Sequence, residues 1–162
     1  MHGRLKVKTS AQEQEEKRKE RERKLKVYRA GFEAVFNKRQ VGELDGEILQ
    51  ITEQLLCGNP DIYTLWNVRR EVLKVFQDSK LNEMFEEDLK GELRVTEAAL
   101  RSNPKSYGAW HHRMWALESM QNPPVTQELL LCGKLLKADP RNCKILNNTI
   151  VLEVRCKRGL LA

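Results

Sequence analysis

The chain has 162 residues, a net charge of +6, 40% hydrophobic and 32% charged residues, and a mean hydropathy of −0.62. That is too apolar for wholesale disorder, and no run approaches the ~18 apolar residues that cross a bilayer, so no membrane span is expected. The opening Met1-His2-Gly3-Arg4 carries no apolar signal core and no glycine at position 2, which argues against a secretory leader and against myristoylation. The charge is uneven: residues 1–40 carry 13 Lys/Arg against 6 Asp/Glu, residues 41–140 carry 11 against 16, and residues 141–162 carry 5 against 1. A basic balance confined to the ends is no folded basic face, so no nucleic-acid partner is expected. Cys57, Cys132, Cys143 and Cys156 form no CxxC pair and neighbour no His at ligand spacing. They read as reduced thiols of a cytoplasmic protein without a zinc site of its own.

In chain order, residues 1–9 read as an arm. Ser10 with Glu13 matches a capping box that starts a helix running to about Gln40. Its first half is all charge, with Glu13/Lys17, Glu15/Lys19, Glu20/Lys24 and Glu22/Lys26 at favourable spacing; its second half gathers Tyr28, Phe32, Val35 and Phe36 on one face. It should project into solvent and dock only its end. Amphipathic helices follow over about Asp45–Cys57, Tyr63–Phe76, Lys80–Arg101, Ser106–Met120 and Pro124–Lys137. Asn59-Pro60 and Asn103-Pro104 break the chain between them. No segment alternates as a strand, so the class is all-α, built from antiparallel helix pairs.

The chain also repeats itself. Asn59-Pro60-x-x-Tyr63-x-x-Trp66-x-x-Arg69 returns 44 residues later as Asn103-Pro104-x-x-Tyr107-x-x-Trp110-x-x-Arg113. A third copy begins 36 residues on, at Leu129, Cys132, Leu135, Leu136 and Asp139-Pro140. The excess of 8 residues in the first interval is assigned to a loop near Gln77–Lys90. Tyr and Trp should carry apolar area into the packing, and Arg should lay its stem along them and bond carbonyls of a neighbouring helix. One pair cannot bury its own faces, so the pairs must stack. Leu129, Leu130, Leu131, Leu135 and Leu136 then look like an open end.

The Trp-x-x-Arg pattern with a preceding Tyr resembles the repeat of protein prenyltransferase α subunits rather than a tetratricopeptide. The Met1–Lys8 octapeptide, Gly42-Glu43-Leu44-Asp45 and Lys105-Ser106-Tyr107-Gly108-x-Trp110-His111-His112-Arg113 resemble the geranylgeranyltransferase type-2 (Rab geranylgeranyltransferase) branch of that family, over residues 1–142. From residue 143 the resemblance stops: Cys143, Leu146 and Thr149 stand where the repeat has an aromatic residue, Trp and Arg. The expected organisation is an arm and charged helix over 1–40, repeats over 41–142, and a divergent tail over 143–162, disordered or loosely helical, as in a truncated subunit.

The chain holds no catalytic constellation of its own, so activity would come with a partner. The resemblance implies a β subunit that holds zinc and the lipid pocket, with geranylgeranyl diphosphate, a Rab escort protein and a Rab GTPase as the other partners. It implies diphosphate contacts from Lys105 and Tyr107. It also implies that His2, on the arm, reaches the partner's zinc. From the residues alone Lys105 is a solvated lysine beside a helix start, where free N–H groups favour an anion; the first repeat has Asp61 there. His111 and His112 point about 100° apart on a helix and make no metal pair. Two other readings stay open: a non-catalytic helical-repeat adaptor, which needs neither Lys105 nor Tyr107, and an inactive splice product.

Overall fold

A computed structural model describes residues 10–157, all of whose regular structure is helical: α1 (Ala11–Gln40), α2 (Gly46–Gly58), α3 (Tyr63–Ser79), α4 (Asn82–Ser102), α5 (Tyr107–Ser119), α6 (Val125–Ala138) and α7 (Cys143–Lys157). His2 and the octapeptide lie outside the described residues.

The Ser10 capping box forms in both directions: Ser10 Oγ accepts from Glu13 N, and Glu13 Oε2 accepts from Ser10 N. Capping takes Glu13 away from Lys17. Arg18 likewise takes Glu15 and Glu22 at 2.7 and 3.1 Å, leaving Lys24–Glu20 at 2.7 Å as the tightest of the four expected pairs. The planar guanidinium fork of Arg18 spans both carboxylates, one turn to either side along the helix. Nearly every residue from Ala11 to Val27 is exposed, and only from Tyr28 onward does α1 meet the body, through Tyr28, Phe32 and the fully buried Val35. Gly42, at φ +81°, ends the helix in the left-handed region that a side chain disfavours.

Behind α1 the helices alternate between two layers. α2 packs on α3 and α4, α3 on α5, α5 on α7, and α6 on α7. Ile48, Leu55 and Leu56 of α2, Leu65, Trp66 and Leu73 of α3, and Leu89 and Leu100 of α4 lie within one continuous core. Burying each such side chain contributes about 1.5–3 kcal/mol.

Two expectations need correction. The extra residues of the first interval are not a loop. They lengthen α3 by four residues at its end and α4 by seven at its start, relative to α5 and α6, across a shorter connector at Lys80-Leu81. The segment Lys80–Lys90 has no proline and one amphipathic face, so it extends a helix. The tyrosines of the repeat do not enter the core: Tyr63 and Tyr107 are 49% and 68% exposed, while Trp66 and Trp110 are buried. The tail is expected from the sequence to be disordered or loosely helical, and the structure takes the helical alternative. Residues 143–157 form α7, which buries Ile145 and Leu152 and starts in register with α3 and α5. Asn142 makes this possible: its Oδ1 accepts from Lys144 N and Ile145 N, an N-cap the sequence reading overlooked. The backbone repeat therefore outlasts its signature residues, and α7 covers Leu129, Leu135 and Leu136 in part.

Candidate functional site

The corner before α5 carries Lys105 and Tyr107. Asn103 shapes it, its Oδ1 accepting from Lys105 N at 3.0 Å while its carbonyl accepts from Ser106 N at 3.1 Å. Ser106 caps α5 through Ala109 N and at the same time donates its Oγ proton to the Pro60 carbonyl at 2.9 Å. That carbonyl also accepts from Trp66 Nε1 at 2.9 Å. One turn thus serves its own tryptophan and the cap of the next repeat. The pattern recurs: Pro104 O accepts from Trp110 Nε1 at 2.9 Å and from Asn142 Nδ2 at 3.3 Å. The glycine of the Lys-Ser-Tyr-Gly run has a steric reason, since a Cβ on Gly108 would stand 2.8 Å from Trp66 Cδ1. The start of α5 is therefore fastened to the preceding repeat by the Ser106–Pro60 hydrogen bond and by a close contact that glycine permits.

The repeat arginines fasten the layers. Arg69 bonds Glu92 through Nε and Nη2 at 2.8 and 2.6 Å, and its Nη1 reaches Leu49 O at 2.5 Å and Thr52 Oγ1 at 2.7 Å. Arg113 repeats this on Glu128, both bonds at 2.7 Å, and on Leu93 O and Thr96 Oγ1 at 2.6 and 2.8 Å. All four charged side chains are no more than 3% exposed. The carbonyl contacts match the sequence reading. The two carboxylates were missed, although Glu92 and Glu128 occupy one position of the repeat, each just before the aligned Leu93 and Leu129.

His112 completes the first cluster. Its Nε2 donates to Glu92 Oε2 at 2.8 Å, its ring lies 4.8 Å from that of Trp66, and Arg70 Nε donates to Nδ1 at 3.4 Å. Burial holds this imidazole below its ordinary pKa, only partly offset by Glu92. Burial alone would raise Glu92, but the His112 hydrogen bond and the Arg69 charge outweigh it and hold the carboxyl at about 2. His111, exposed, accepts from Arg70 Nη2 at 2.8 Å. One histidine packs and the other faces out.

Lys105 and Tyr107 both face solvent. The ammonium of Lys105, 68% exposed, lies 3.4 Å from Asp139 Oδ2. At the corresponding turn of the first repeat, Asp61 accepts from Asn103 Nδ2 at 2.9 Å, so that turn presents a carboxylate already engaged. Lys144 of α7 places its ammonium 3.1 Å from the centre of the Tyr107 ring. A shallow groove of about 260 Å³ runs beside it, lined by Tyr107, Trp110, His111, Met114, Lys144 and Asn147 among others. Among the described residues no three His, Cys, Asp or Glu side chains converge to hold a metal ion, and no helix is long and apolar enough to cross a membrane.

The sequence is similar to those of known proteins. The model of the protein prenyltransferase alpha subunit repeat matches residues 46–76 and 89–120. The geranylgeranyl transferase type-2 subunit alpha of Homo sapiens is 54% identical over 142 residues, 88% of this chain and 25% of that protein. Its namesakes in Dictyostelium discoideum and Schizosaccharomyces pombe are 34% and 40% identical, across 46% and 42% of their lengths. The chain spans about a quarter of the first of these relatives and under half of the other two. Helix pairs α2–α3 and α4–α5, with their Trp-x-x-Arg stitches, match the protein prenyltransferase alpha subunit repeat, and the chain is similar over most of its length to geranylgeranyl transferase type-2 alpha subunits.

Proposed function

We propose that the chain serves in the cytoplasm as the α-subunit part of a heterodimeric Rab geranylgeranyltransferase. The reaction joins the C1 carbon of the lipid of geranylgeranyl diphosphate to a C-terminal cysteine sulfur of a Rab GTPase presented by an escort protein. The C–S bond forms as the C1–O bond breaks, and diphosphate leaves with the electron pair. The β subunit supplies the lipid pocket and the zinc, which lowers the thiol pKa when bound. His2 is the candidate of this chain for reaching that zinc.

This chain's part is electrostatic. Negative charge builds on the bridging oxygen as the bond breaks, so a fixed cation stabilises the transition state more than the ground state. The observation that carries the reading is the exposed Lys105–Tyr107 pair on a corner that Ser106, Gly108 and Trp66 hold rigid. An adaptor has no use for that pair. The test is reconstitution: this chain is co-expressed with a prenyltransferase β subunit and supplied with a Rab–escort complex and labelled geranylgeranyl diphosphate. The reading expects a stable heterodimer that transfers label, with neither subunit active alone. A folded chain that never engages the β subunit overturns it and leaves the adaptor reading in front.

A further inference from the structure

We infer that Lys144, in the segment where the family pattern is lost, is a second diphosphate-binding cation of the Lys105–Tyr107 site; this rests on the function proposed above. Three features of the structure support the assignment. The ammonium of Lys144 sits 3.1 Å from the centre of the Tyr107 ring, so it shares the corner with a residue assigned to the diphosphate. Its position is built rather than incidental. Asn142 caps α7 and bonds Pro104 O, and Arg155 pairs with Glu118, so both ends of α7 are tied to the repeat that carries the corner.

The third feature is charge. Lys105 has Asp139 at 3.4 Å, which offsets part of its field. Among the described residues no carboxylate pairs with Lys144. An aromatic face holds an ammonium by its quadrupole without cancelling its net charge. Lys144 is therefore positioned and half-buried, with no carboxylate offsetting it among the described residues, at the mouth of a groove whose other polar side chains include His111, Asn147 and Asn148. A multiply charged anion is the ligand class that draws on an ammonium offset by no carboxylate beside a phenol, with Lys105 two residues before that tyrosine; a diphosphate fits it.

The experiment is competition in the heterodimer of the full chain with a β subunit, with inorganic diphosphate as the probe against geranylgeranyl diphosphate. Lys144→Met keeps the stem over the ring and removes the charge. The inference expects its inhibition constant for inorganic diphosphate to rise about tenfold, the scale of one charge-assisted contact, with the melting temperature unchanged. Lys144→Arg should restore most of the affinity. Lys105→Met is measured in parallel. If Lys105→Met weakens the probe and Lys144→Met does not, the inference is overturned while the proposed function stands; a lowered melting temperature with unmoved inhibition makes Lys144 a packing residue only. If neither lysine matters, or if wild-type chain and β subunit do not assemble, both fall.

Discussion

Removing the Arg113 guanidinium is the sharpest test of how the repeats are held together. Arg113→Met leaves a side chain of similar reach but strands the Glu128 carboxylate, 3% exposed, and deprives Leu93 O and Thr96 Oγ1 of their donor. Breaking a buried pair on one side costs about 3–5 kcal/mol, because an uncompensated charge stays buried. For a chain of this size that lowers the melting midpoint by roughly 10 °C. Glu128→Met should cost a similar amount for the mirror reason. The double variant Arg113→Met/Glu128→Met removes both charges and should recover about half or more of the loss, since an apolar pair of like volume is often neutral. Urea titration of the four proteins, read by circular dichroism, closes the cycle. Single losses under about 1 kcal/mol, or a double variant that simply sums the singles, would refute the idea that these pairs clamp one layer to the other.

Acid should weaken the protein in two stages. His112 and Glu92 both titrate lower in the folded chain than in the unfolded one, so the unfolded chain binds protons first as pH falls. Stability is complete above about pH 6.5 and falls below it through His112; a further loss runs from about 4.5 towards 2 through Glu92. Urea midpoints at several pH values check this, and His112→Gln should flatten the upper stage. Gly108→Ala should cost about 1–3 kcal/mol, because its methyl meets the Trp66 indole and the Pro60 carbonyl; a neutral result in calorimetry would mean the corner yields freely. Tyr107→Phe should slow transfer less than Lys105→Ala, because it removes a neutral donor and keeps the ring on which Lys144 rests.

The fold was legible because its signals are local. Asn-Pro breaks, the Ser10 capping box and apolar spacing place helix ends within two or three residues, and the offset of 44 exposes the stacking unit. What escaped depends on tertiary partners. Nothing local says that Glu92 and Glu128 go inside; burial becomes tolerable only with Arg69 and Arg113 opposite. The tyrosines have the composition of core residues, yet they lie on the outer edge of the face that buries the tryptophans. The helix over residues 143–157 lacks the signature side chains of the repeat, so its place in the stack was not legible. The cap at Asn142 and the burial of Ile145 and Leu152 suffice to continue the backbone without them. Lys105 and Tyr107 were found through a resemblance, and their exposure fits a role towards a partner.

On the proposed function, this chain lends a cation to another subunit's chemistry. Single-turnover geranylgeranyl transfer to a Rab–escort complex, by the heterodimer with saturating lipid diphosphate, tests it directly. Lys105→Ala should lower the rate about tenfold, less than the ~10²-fold typical of a buried donor, because Lys105 is exposed and other cations share the diphosphate. Lys105→Arg should recover part of that rate, while lipid diphosphate affinity changes less. An unchanged rate in Lys105→Ala, with folding and β-subunit binding intact, would contradict the account and return Lys105 to the solvated surface.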